Sequence, residues 1–249
     1  MDKLEIIDIH THILPQVDDG SSDMEETIKM LKLSVQQGIK TIIATPHYGL
    51  GYKEKSVQEL QNIKIRVEEE AAAIDLDVRI YMGNEIYYTE SSVNDVIQGK
   101  ALTLADSRYV LIEFSVGINY KTLYQGLRQF IHGGYAPILA HVERYQCLME
   151  DEERIEELIE LGVYIQMNGS SLSGSFFSKS LARHKRLIKN RWIHMIATDC
   201  HDSVTRAPIL EQAVQAVIKL TNMEYAKEIF CINPGKILEN KYINLCRTY

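Results

Sequence analysis

The stretch "EIIDIHTHILPQVDDG", residues 5–20, joins a short apolar strand to a group of imidazoles and carboxylates. The strand ends in His10 and His12, and two aspartates follow shortly afterwards. Because side chains alternate along a strand, both imidazoles lie on one face and can reach one metal ion. The HxH motif is weak by itself, so its meaning depends on what the rest of the chain places beside it.

Strand and helix patterns alternate along the chain. Short apolar, β-branched segments predict seven strands, over residues 5–10, 41–46, 77–85, 108–114, 136–142, 163–168 and 194–199. Amphipathic segments predict helices over 24–37, 54–73, 120–132, 151–161, 178–190, 206–221, 223–230 and 234–240. Ser22 or Asp23 caps the first helix and Gly38 ends it, while 86–107 looks like an insertion.

This alternation predicts an α/β fold with a parallel sheet covered by helices. No Pro-rich or Gly/Ser-rich linker divides the chain, so we expect residues 1–249 to form a single domain, a closed or nearly closed barrel. An open doubly wound sheet is the alternative. Such a sheet usually carries a Gly-rich phosphate turn after its first strand, whereas the turn here has a single glycine, Gly20.

Composition narrows the class of partner. The net charge of −7 disfavours a protein that binds nucleic acid, which needs a dominant positive surface. No apolar run is long enough for an integral membrane segment, and no secretory signal is recognisable, so a cytoplasmic location is expected. The four cysteines form no CxxC pair, which argues against a zinc ribbon or a disulfide framework.

Ionisable side chains follow six of the seven predicted strands at their carboxyl ends. In chain order these residues are His10, His12, Asp19, His47, Glu85, Glu113, His141, Arg144, Asp199 and His201. One such residue is more often a loop residue with a hydrogen bond, but six coincidences favour a shared site. In (β/α) barrels this end of the strands carries the active site. His132, His184 and His194 lack this placement and are interpreted as structural or surface residues.

Crowded carboxylates and imidazoles need a compensating charge, and divalent cations supply it. Five imidazoles and four carboxylates exceed what one ion uses, which indicates a cluster of two or three ions. Nitrogen and oxygen ligands without a thiolate favour Mn²⁺, Fe²⁺ or Zn²⁺. Asp8 alternates with His10, so it is either a partner of a ligand histidine or a hydrogen-bonding group at the edge of the core.

Several segments together resemble the PHP (polymerase and histidinol phosphatase) metallohydrolase superfamily. They are "DIHTH", "TPH", "GNEIYY", "LIEF", "AHVERY" and "ATDCH", in this order. "VDDGS" and "NPGKIL" make the chain most similar to the CpsB/CapC/YwqE branch, manganese-dependent protein-tyrosine phosphatases of Gram-positive bacteria. The resemblance covers essentially the whole chain. It implies a distorted (β/α)₇ TIM-like barrel of the PHP type with three metal ions, expected to be Mn²⁺, at its mouth.

The resemblance also implies a role for each candidate residue. Its three ligand sets are His10, His12, Glu85 and Asp199; Glu85, Glu113 and His141, with Glu85 bridging; and Asp19, His47 and His201. Asp18 remains an alternative to Asp19. Arg144 and Arg206 match the phosphate-binding arginines of the branch, whereas the loop "GSSLSGSFF", residues 169–177, matches it only loosely.

The implied reaction is hydrolysis of phosphotyrosine by a metal-activated hydroxide, without a phosphoenzyme. The implied substrate is the tyrosine-rich tail of a tyrosine autokinase that controls capsular or extracellular polysaccharide synthesis. Asp202 or a metal-bound water is a candidate general acid, although a phenolate with a conjugate-acid pKa of about 10 needs little protonation. The basic stretch 183–191 is interpreted as a solvated helix face or as a docking site for an acidic partner.

Three other functions remain open at this point. Cys200 and Arg206 have the C-x5-R spacing of cysteine-based tyrosine phosphatases, but the intervening loop lacks glycine and Cys200 stands between two candidate metal ligands. A small-molecule phosphatase such as histidinol phosphatase would use the same metal ligands. A non-catalytic binding module is the third possibility, which a complete ligand set disfavours.

Overall fold

The computed structural model describes residues 4–49, 51, 54–173 and 179–245. Within these ranges there are nine strand segments: β1 (Ile6–Thr11), β2 (Ile39–Ala44), β3 (His47–Tyr48), β4 (Arg79–Met82), β5 (Glu85–Tyr87), β6 (Tyr109–Glu113), β7 (Ala136–Leu139), β8 (Tyr164–Asn168) and β9 (Met195–Ala197). All paired neighbours run parallel. None of the helices in these ranges is long and apolar enough to cross a membrane.

The helices lie between and after the strands. They are α1 (Met24–Gln37), α2 (Val57–Ala72), α3 (Ser92–Ile97), α4 (Tyr120–His132), α5 (Gln146–Met149), α6 (Glu153–Leu161), α7 (Lys179–Lys189), α8 (Glu211–Leu220), α9 (Met223–Lys227) and α10 (Asn233–Leu238). Short 3₁₀ helices cover Leu104–Asp106, Val142–Arg144 and Gly169–Leu172. A π-helix, Glu228–Ile232, joins α9 to α10.

The nine segments occupy seven strand positions. The pairs Ala44 with Met82 and His47 with Glu85 keep one register, so β2 and β3 form one interrupted strand and β4 and β5 another. The order around the sheet is β1, β2/β3, β4/β5, β6, β7, β8 and β9.

Backbone hydrogen bonds close this sheet between its first and last strands. The Asp199 N–H donates to the His10 carbonyl at 2.9 Å, and the His12 N–H donates to the Cys200 carbonyl at 2.9 Å. The predicted (β/α)₇ barrel is therefore confirmed, and the open-sheet alternative is wrong.

Apolar side chains from opposite strands fill the barrel below its mouth. Ile9, Leu111, Ile138 and Ala197 are fully buried in one cluster, which Ile237 of α10 helps to complete. A larger apolar cluster lies between the strands and the surrounding helices. Strands buried on both faces explain why the sequence shows continuous apolar runs rather than alternation.

Between Asp8 and Thr11 the strand β1 carries one extra residue relative to β2, which offsets the opposite shift between Ile6 and Ile7. Asp8 pairs with Ile42 and Thr11 with Ala44, so three steps along β1 match two along β2. This bulge changes the direction of the side chains just before the histidines. Asp8 consequently accepts hydrogen bonds from the Thr198 N–H at 3.1 Å and hydroxyl at 2.5 Å and from the His10 N–H at 3.4 Å, but among the described residues no imidazole hydrogen-bonds to it. Of its two predicted roles, the structure shows the buried hydrogen bond.

Several predicted boundaries need correction. Asp23 rather than Ser22 caps α1, because its carboxylate accepts a hydrogen bond from the Glu26 N–H. The helix predicted over 206–221 starts only at Glu211. A turn and Pro208 precede it, and a proline disfavours helical geometry in the residue before it. The two helices predicted over 223–230 and 234–240 are one continuous helical run with the π-helix inside it. The predicted insertion 86–107 contains α3.

His194 is a buried neutral histidine beneath the barrel. Its Nδ1 accepts a hydrogen bond from the Ile165 N–H at 3.0 Å, and its Nε2 is buried without a hydrogen-bond partner among the described residues. Burial disfavours the charged ring and lowers the pKa of His194 to about 4.

We expect this buried ring to make folding sensitive to acid. Below a pH of about 6.5 the histidine binds a proton in the unfolded chain but stays neutral in the native protein, whose His194 pKa is about 4. The free energy of unfolding therefore falls by up to about 3 kcal/mol on acidification towards pH 4. His194→Asn, which keeps an acceptor near Nδ1, should flatten the unfolding free energy against pH in this window. The matched variant His132→Asn, at an exposed position, should not. Equal slopes in denaturant titrations of His194→Asn and the parent protein would contradict this assignment.

Candidate metal centre

The closed barrel brings all nine predicted ligand residues to one mouth. Nitrogen and oxygen atoms of eight of them form three overlapping groups, each compact enough to surround one ion, while the ninth, His141, contacts Glu85 and Glu113 beside the second group. The groups are His10, His12, Glu85 and Asp199; His47, Glu85 and Glu113; and His12, Asp19, His47 and His201.

The first group is the most buried. The Nε2 atoms of His10 and His12 are 3.3 Å apart, and they lie 3.1 Å and 3.2 Å from Glu85 Oε2. Each is also 3.5 Å from Asp199 Oδ1. Ligand atoms bound at about 2.1 Å to one ion lie about 3.0–3.5 Å from each other in octahedral or tetrahedral geometry. The spacing of these four atoms therefore fits a shared cation.

Hydrogen bonds behind His10 fix which of its nitrogens faces the centre as an acceptor. The Oε1 atom of Gln166 accepts the backbone N–H of His141 at 2.7 Å, which identifies it as an oxygen. This oxygen lies 3.3 Å from His10 Nδ1. In the neutral ring the hydrogen therefore sits on Nδ1, and Nε2 presents a lone pair to the centre.

Asp18 fixes His12 in the same way. Its carboxylate is 2.7 Å from His12 Nδ1 and also accepts the backbone N–H groups of His47 and Gly20. Burial opposes protonation of His12, but Asp18 outweighs it and raises the pKa of His12 well above its ordinary value. Asp18 therefore lies behind the imidazole, where it orients His12, rather than among the atoms that face the centre.

When both imidazoles are neutral, four acceptor atoms thus converge on one point: two imidazole lone pairs and two carboxylate oxygens. A proton can join only one pair of them, whereas a divalent cation satisfies all four. The imidazoles hold the pKa of Glu85 and of Asp199 well below the usual range despite burial, so both carboxylates are ionised. The donor set fits a metal ion.

Glu85 connects the first group to the second. Its Oε1 atom is 2.8 Å from His141 Nε2, while its Oε2 atom is 3.1 Å from His47 Nδ1. Glu113 completes the second group, with Oε2 at 3.7 Å from His47 Nδ1. The resemblance implies His141 in this set; its Nε2 lies 3.4 Å from Glu113 Oε1, but His47 takes its place in the compact group. Burial disfavours a charged His141, but Glu113 and Glu85 outweigh it and raise the pKa of His141 to about 9. Glu113 Oε2 is buried and accepts no hydrogen bond from the described residues, as expected of a metal ligand.

The third group lies closer to solvent. Asp19 Oδ1 is 3.4 Å from His47 Nε2 and 3.3 Å from His201 Nε2. Hydrogen bonds from His201 and His47 lower the pKa of Asp19. His47 thus presents one nitrogen to the second group and the other to the third. Asp19, and not Asp18, contributes an oxygen to this candidate ligand group.

The loop that carries Asp18 and Asp19 folds back on the end of β1. The Ser21 N–H donates to the His12 carbonyl at 3.0 Å. A Cβ on Gly20 would lie 2.2 Å from that carbonyl oxygen and 2.4 Å from His12 Cβ. Only glycine allows this close approach, which explains the position of Gly20 directly after the two aspartates.

Two polar residues that the sequence interpretation missed organise the floor of the site. Gln166 Nε2 donates to Asn168 Oδ1 at 2.8 Å, and Asn168 Nδ2 donates to Asp199 Oδ2 at 2.7 Å. Both residues are buried on β8, the one predicted strand without an ionisable end. The signal was present in "YIQMN", where two amides alternate at the end of an otherwise apolar strand.

Two candidate ligands adopt left-handed backbone conformations at the ends of their strands. His141 has a φ of 33° and Asp199 a φ of 52°. Non-glycine residues rarely occupy this region, and strained positions cluster at functional sites. Their N–H groups are held by Gln166 and by the His10 carbonyl, so the same network that orients the imidazoles also maintains this backbone.

The two predicted arginines meet on one carboxylate at the rim. Arg144 Nη2 is 2.5 Å from Asp199 Oδ2, and Arg206 Nη2 is 2.8 Å from Asp199 Oδ1. Their side chains are 37% and 39% exposed, so both guanidinium groups are accessible beside the metal centre. They could bind an anion that enters the mouth.

Asp202 is unsuited to act as a general acid. Its carboxylate accepts the backbone N–H groups of Val204, Thr205 and Arg206, and the Thr205 hydroxyl. Burial works against ionisation, but these hydrogen bonds lower the pKa of Asp202 to about 2. The group is ionised at neutral pH and holds the turn that leads to Arg206.

The Cys200 thiol cannot serve as the nucleophile of a cysteine-based phosphatase in this conformation. The residue is 1% exposed and packs in the larger apolar cluster. Burial raises the pKa of its thiol to about 12, whereas reactive cysteines have a lowered pKa. The C-x5-R spacing is therefore incidental. Residues 174–177 of the loosely matching loop, and Cys246, lie outside the described residues.

Comparison with known proteins agrees with this geometry. The sequence profile of the family described as "Capsular polysaccharide synthesis, CpsB/CapC" matches residues 6–239. The chain belongs to the CpsB/CapC family. It is 35% identical over 243 residues to the tyrosine-protein phosphatase CpsB of Streptococcus pneumoniae, covering 96% of this chain and 100% of the relative. It is 32% identical to the tyrosine-protein phosphatase YwqE of Bacillus subtilis, over 94% of this chain and 89% of the relative.

Solved structures extend the comparison of this CpsB/CapC protein. It superposes with a TM-score of 0.90 and 30% identity, over 96% of both chains, on a structure from work on YwqE of Bacillus subtilis and CpsB of Streptococcus pneumoniae, described as metal-dependent tyrosine phosphatases. A TatD-family hydrolase from Entamoeba histolytica superposes with a TM-score of 0.59 at 11% identity, over 96% of this chain and 99% of the other. This second similarity shows the barrel fold alone.

Gly20→Ala should disrupt the candidate metal centre although Gly20 is not itself a candidate ligand. The added methyl group collides with the main chain of His12, so the loop must shift and move Asp18 and Asp19. We expect lower metal content by mass spectrometry and a lower melting temperature. Gly117→Ala is the matched control, because a Cβ there meets nothing within 4 Å. Unchanged metal content in Gly20→Ala would contradict the proposed packing.

The two neighbouring aspartates should differ in their effect on metal binding. Asp19→Asn should remove one ion from the stoichiometry, because Asp19 faces the centre. Asp18→Asn should keep the stoichiometry and weaken binding by about 10-fold to 100-fold, the usual effect of removing a group that orients a ligand histidine. Calorimetric titration of metal into the stripped protein measures both quantities. The reverse pattern would identify Asp18 as the ligand.

Proposed function

We propose that this chain is a metal-dependent protein-tyrosine phosphatase, a phosphoric monoester hydrolase. The observation that carries the proposal is the pair of guanidinium groups on Asp199, a carboxylate that also belongs to the most buried group of candidate ligands. A phosphoryl group that enters the mouth would meet the guanidinium groups of Arg144 and Arg206 beside the proposed metal ions. The names of the relatives support phosphotyrosine as the substrate class.

The ligand residues are proposed to hold three divalent ions. Mn²⁺ is the expected ion, and Fe²⁺ or Zn²⁺ suits the same nitrogen and oxygen donors. Bound divalent ions supply Lewis acidity, which lets water act as a nucleophile at neutral pH and neutralises phosphoryl charge. The proposed sets are those implied by the family resemblance, with Glu85 shared between the two deeper groups.

Arg144 and Arg206 are proposed to bind and orient the phosphoryl group. Each guanidinium can donate two parallel hydrogen bonds to phosphate oxygens, which fixes orientation as well as charge. Asp199 holds both groups in place before the substrate arrives, so little reorganisation is required. The Asp202 turn keeps the Arg206 backbone in position.

No protein acid is assigned to the leaving group. Asp202 is ionised at neutral pH, and the tyrosine phenolate, with a conjugate-acid pKa of about 10, leaves more readily than a serine alkoxide. This difference favours aryl over alkyl phosphates in a site without a strong general acid.

The substrate protein is proposed to be the tyrosine-rich tail of a bacterial tyrosine kinase. The family description, capsular polysaccharide synthesis, supports a role in controlling polymer production. We further propose that residues 1–249 form one catalytic domain, since the candidate ligands come from both ends of the chain.

A phosphotyrosine peptide assay tests the proposal. The metal-stripped protein should be inactive and should recover activity with Mn²⁺. Arg144→Ala should lower kcat/KM by about 100-fold to 1,000-fold, as expected for loss of one donor to the developing charge. Cys200→Ser should retain activity, because its thiol is buried away from the mouth.

Two results would contradict the proposal. Activity that survives EDTA but is abolished in Cys200→Ser would establish the cysteine mechanism instead. A higher kcat/KM for histidinol phosphate than for phosphotyrosine peptides would establish a small-molecule phosphatase with the same ligands.

A further inference from the structure

A cavity of about 280 Å³ lies between the loop that follows β1 and the helix α2. Pro15, Met24 and Ile63 form its apolar walls, and Lys55 and Arg66 supply its cationic side chains. The loop is the one that also carries Asp18 and Asp19, so the cavity and the candidate metal centre share a structural element.

The cationic side chains of this cavity outnumber its carboxylates by two to one. Neither Lys55 nor Arg66 has an ion-pair partner among the described residues, whereas Lys64 on the same helix pairs with Glu68 at 2.7 Å. The carboxylate in the wall is that of Asp23, which already accepts hydrogen bonds from the Glu26 N–H at 2.9 Å and the Ser22 hydroxyl at 3.1 Å. Two cations against one carboxylate, in a chain of net charge −7, favour an anionic occupant.

Lys55 connects the cavity to the candidate metal centre. A second, narrower crevice of about 10 Å³ is lined by Lys55 together with His47, Tyr48, Val17 and the carboxylate-bearing Glu54. Lys55 thus borders both depressions, and His47 belongs to two of the candidate ligand groups. The crevice is too small to admit a side chain, so a polypeptide with one residue at the metal centre would pass over its opening to place a neighbouring side chain in the cavity.

We propose that the cavity binds an anionic side chain of the substrate polypeptide, close in sequence to the phosphotyrosine that is hydrolysed. This inference rests on the proposed function and names part of its substrate specificity. Lys55 and Arg66 would pair with a carboxylate or with a second phosphate group, since both present anionic oxygens to cationic donors. The walls formed by Pro15, Met24 and Ile63 would pack against the apolar stem of that side chain.

Matched phosphotyrosine peptides test this inference. Each peptide carries glutamine, glutamate or a second, non-hydrolysable phosphotyrosine analogue at one position flanking the phosphotyrosine. For the parent protein, an anionic residue at the preferred position should raise kcat/KM about fivefold over glutamine, through KM, as expected for a partly exposed ion pair. A preference for glutamate or for the phosphate analogue identifies which anion the cavity accepts.

Lys55→Gln and Arg66→Gln should each reduce this preference to less than about twofold. Lys32→Gln is the matched control: Lys32 is exposed on α1 and does not line the cavity, so the preference should persist. Arg66→Glu should reverse it in favour of peptides with lysine at that position. Free phosphotyrosine reaches only the metal centre, so all four variants should hydrolyse it at the parental rate.

The results separate this inference from the proposed function. If free phosphotyrosine is not hydrolysed by the parent protein, the proposed function fails. If it is hydrolysed but anionic and neutral peptides react equally well, the anionic subsite is wrong. An equal loss of preference in Lys32→Gln and Arg66→Gln would also overturn it, because the effect would then come from overall charge.

Discussion

Four acceptor atoms that face one another at the barrel mouth are the constraint on which the rest of the site depends. In the neutral rings of His10 and His12, Nε2 carries the lone pair because Gln166 and Asp18 bind the opposite nitrogens. Two ionised carboxylates complete the set. Such an arrangement is strongly unfavourable without a compensating charge, so the surrounding structure must hold it in place. The buried amides of Gln166 and Asn168 do this with neutral groups, which adds no further charge to the interior.

Closure of the barrel is what lets residues far apart in sequence share this centre. The first and last strands meet through the hydrogen bonds that join His10 and His12 to Asp199 and Cys200, and Asp8 reinforces the junction by binding Thr198. The bulge in β1 sends Asp8 towards this seam while the histidines face the mouth. The apolar cluster below provides a rigid floor, because close-packed interiors resist small displacements.

The sequence predicted the features that depend on local pattern. Apolar runs followed by His, Asp or Glu located the strands and the residues at their ends, and the order of motifs identified the family. Features that depend on three-dimensional contacts were missed. Gln166 and Asn168 look like ordinary polar residues until β8 is placed beside β7 and β9. The bulge that reorients Asp8 cannot be recognised from the amino-acid sequence. The turn before α8 depends on four hydrogen bonds to Asp202, which the sequence does not show either.

Asp199 belongs both to the candidate metal centre and to the contacts of the two arginines proposed to bind phosphate, and this limits what its substitution can reveal. Its Oδ1 faces the two imidazoles and Arg206, while its Oδ2 faces Arg144 and Asn168. A change at Asp199 therefore removes a candidate ligand and releases both arginines together, so the resulting loss cannot be assigned to either role. Asn168 contacts only Oδ2 of that carboxylate. Its replacement leaves the Oδ1 contacts in place, which makes it the better position for separating the orientation of the carboxylate from its charge.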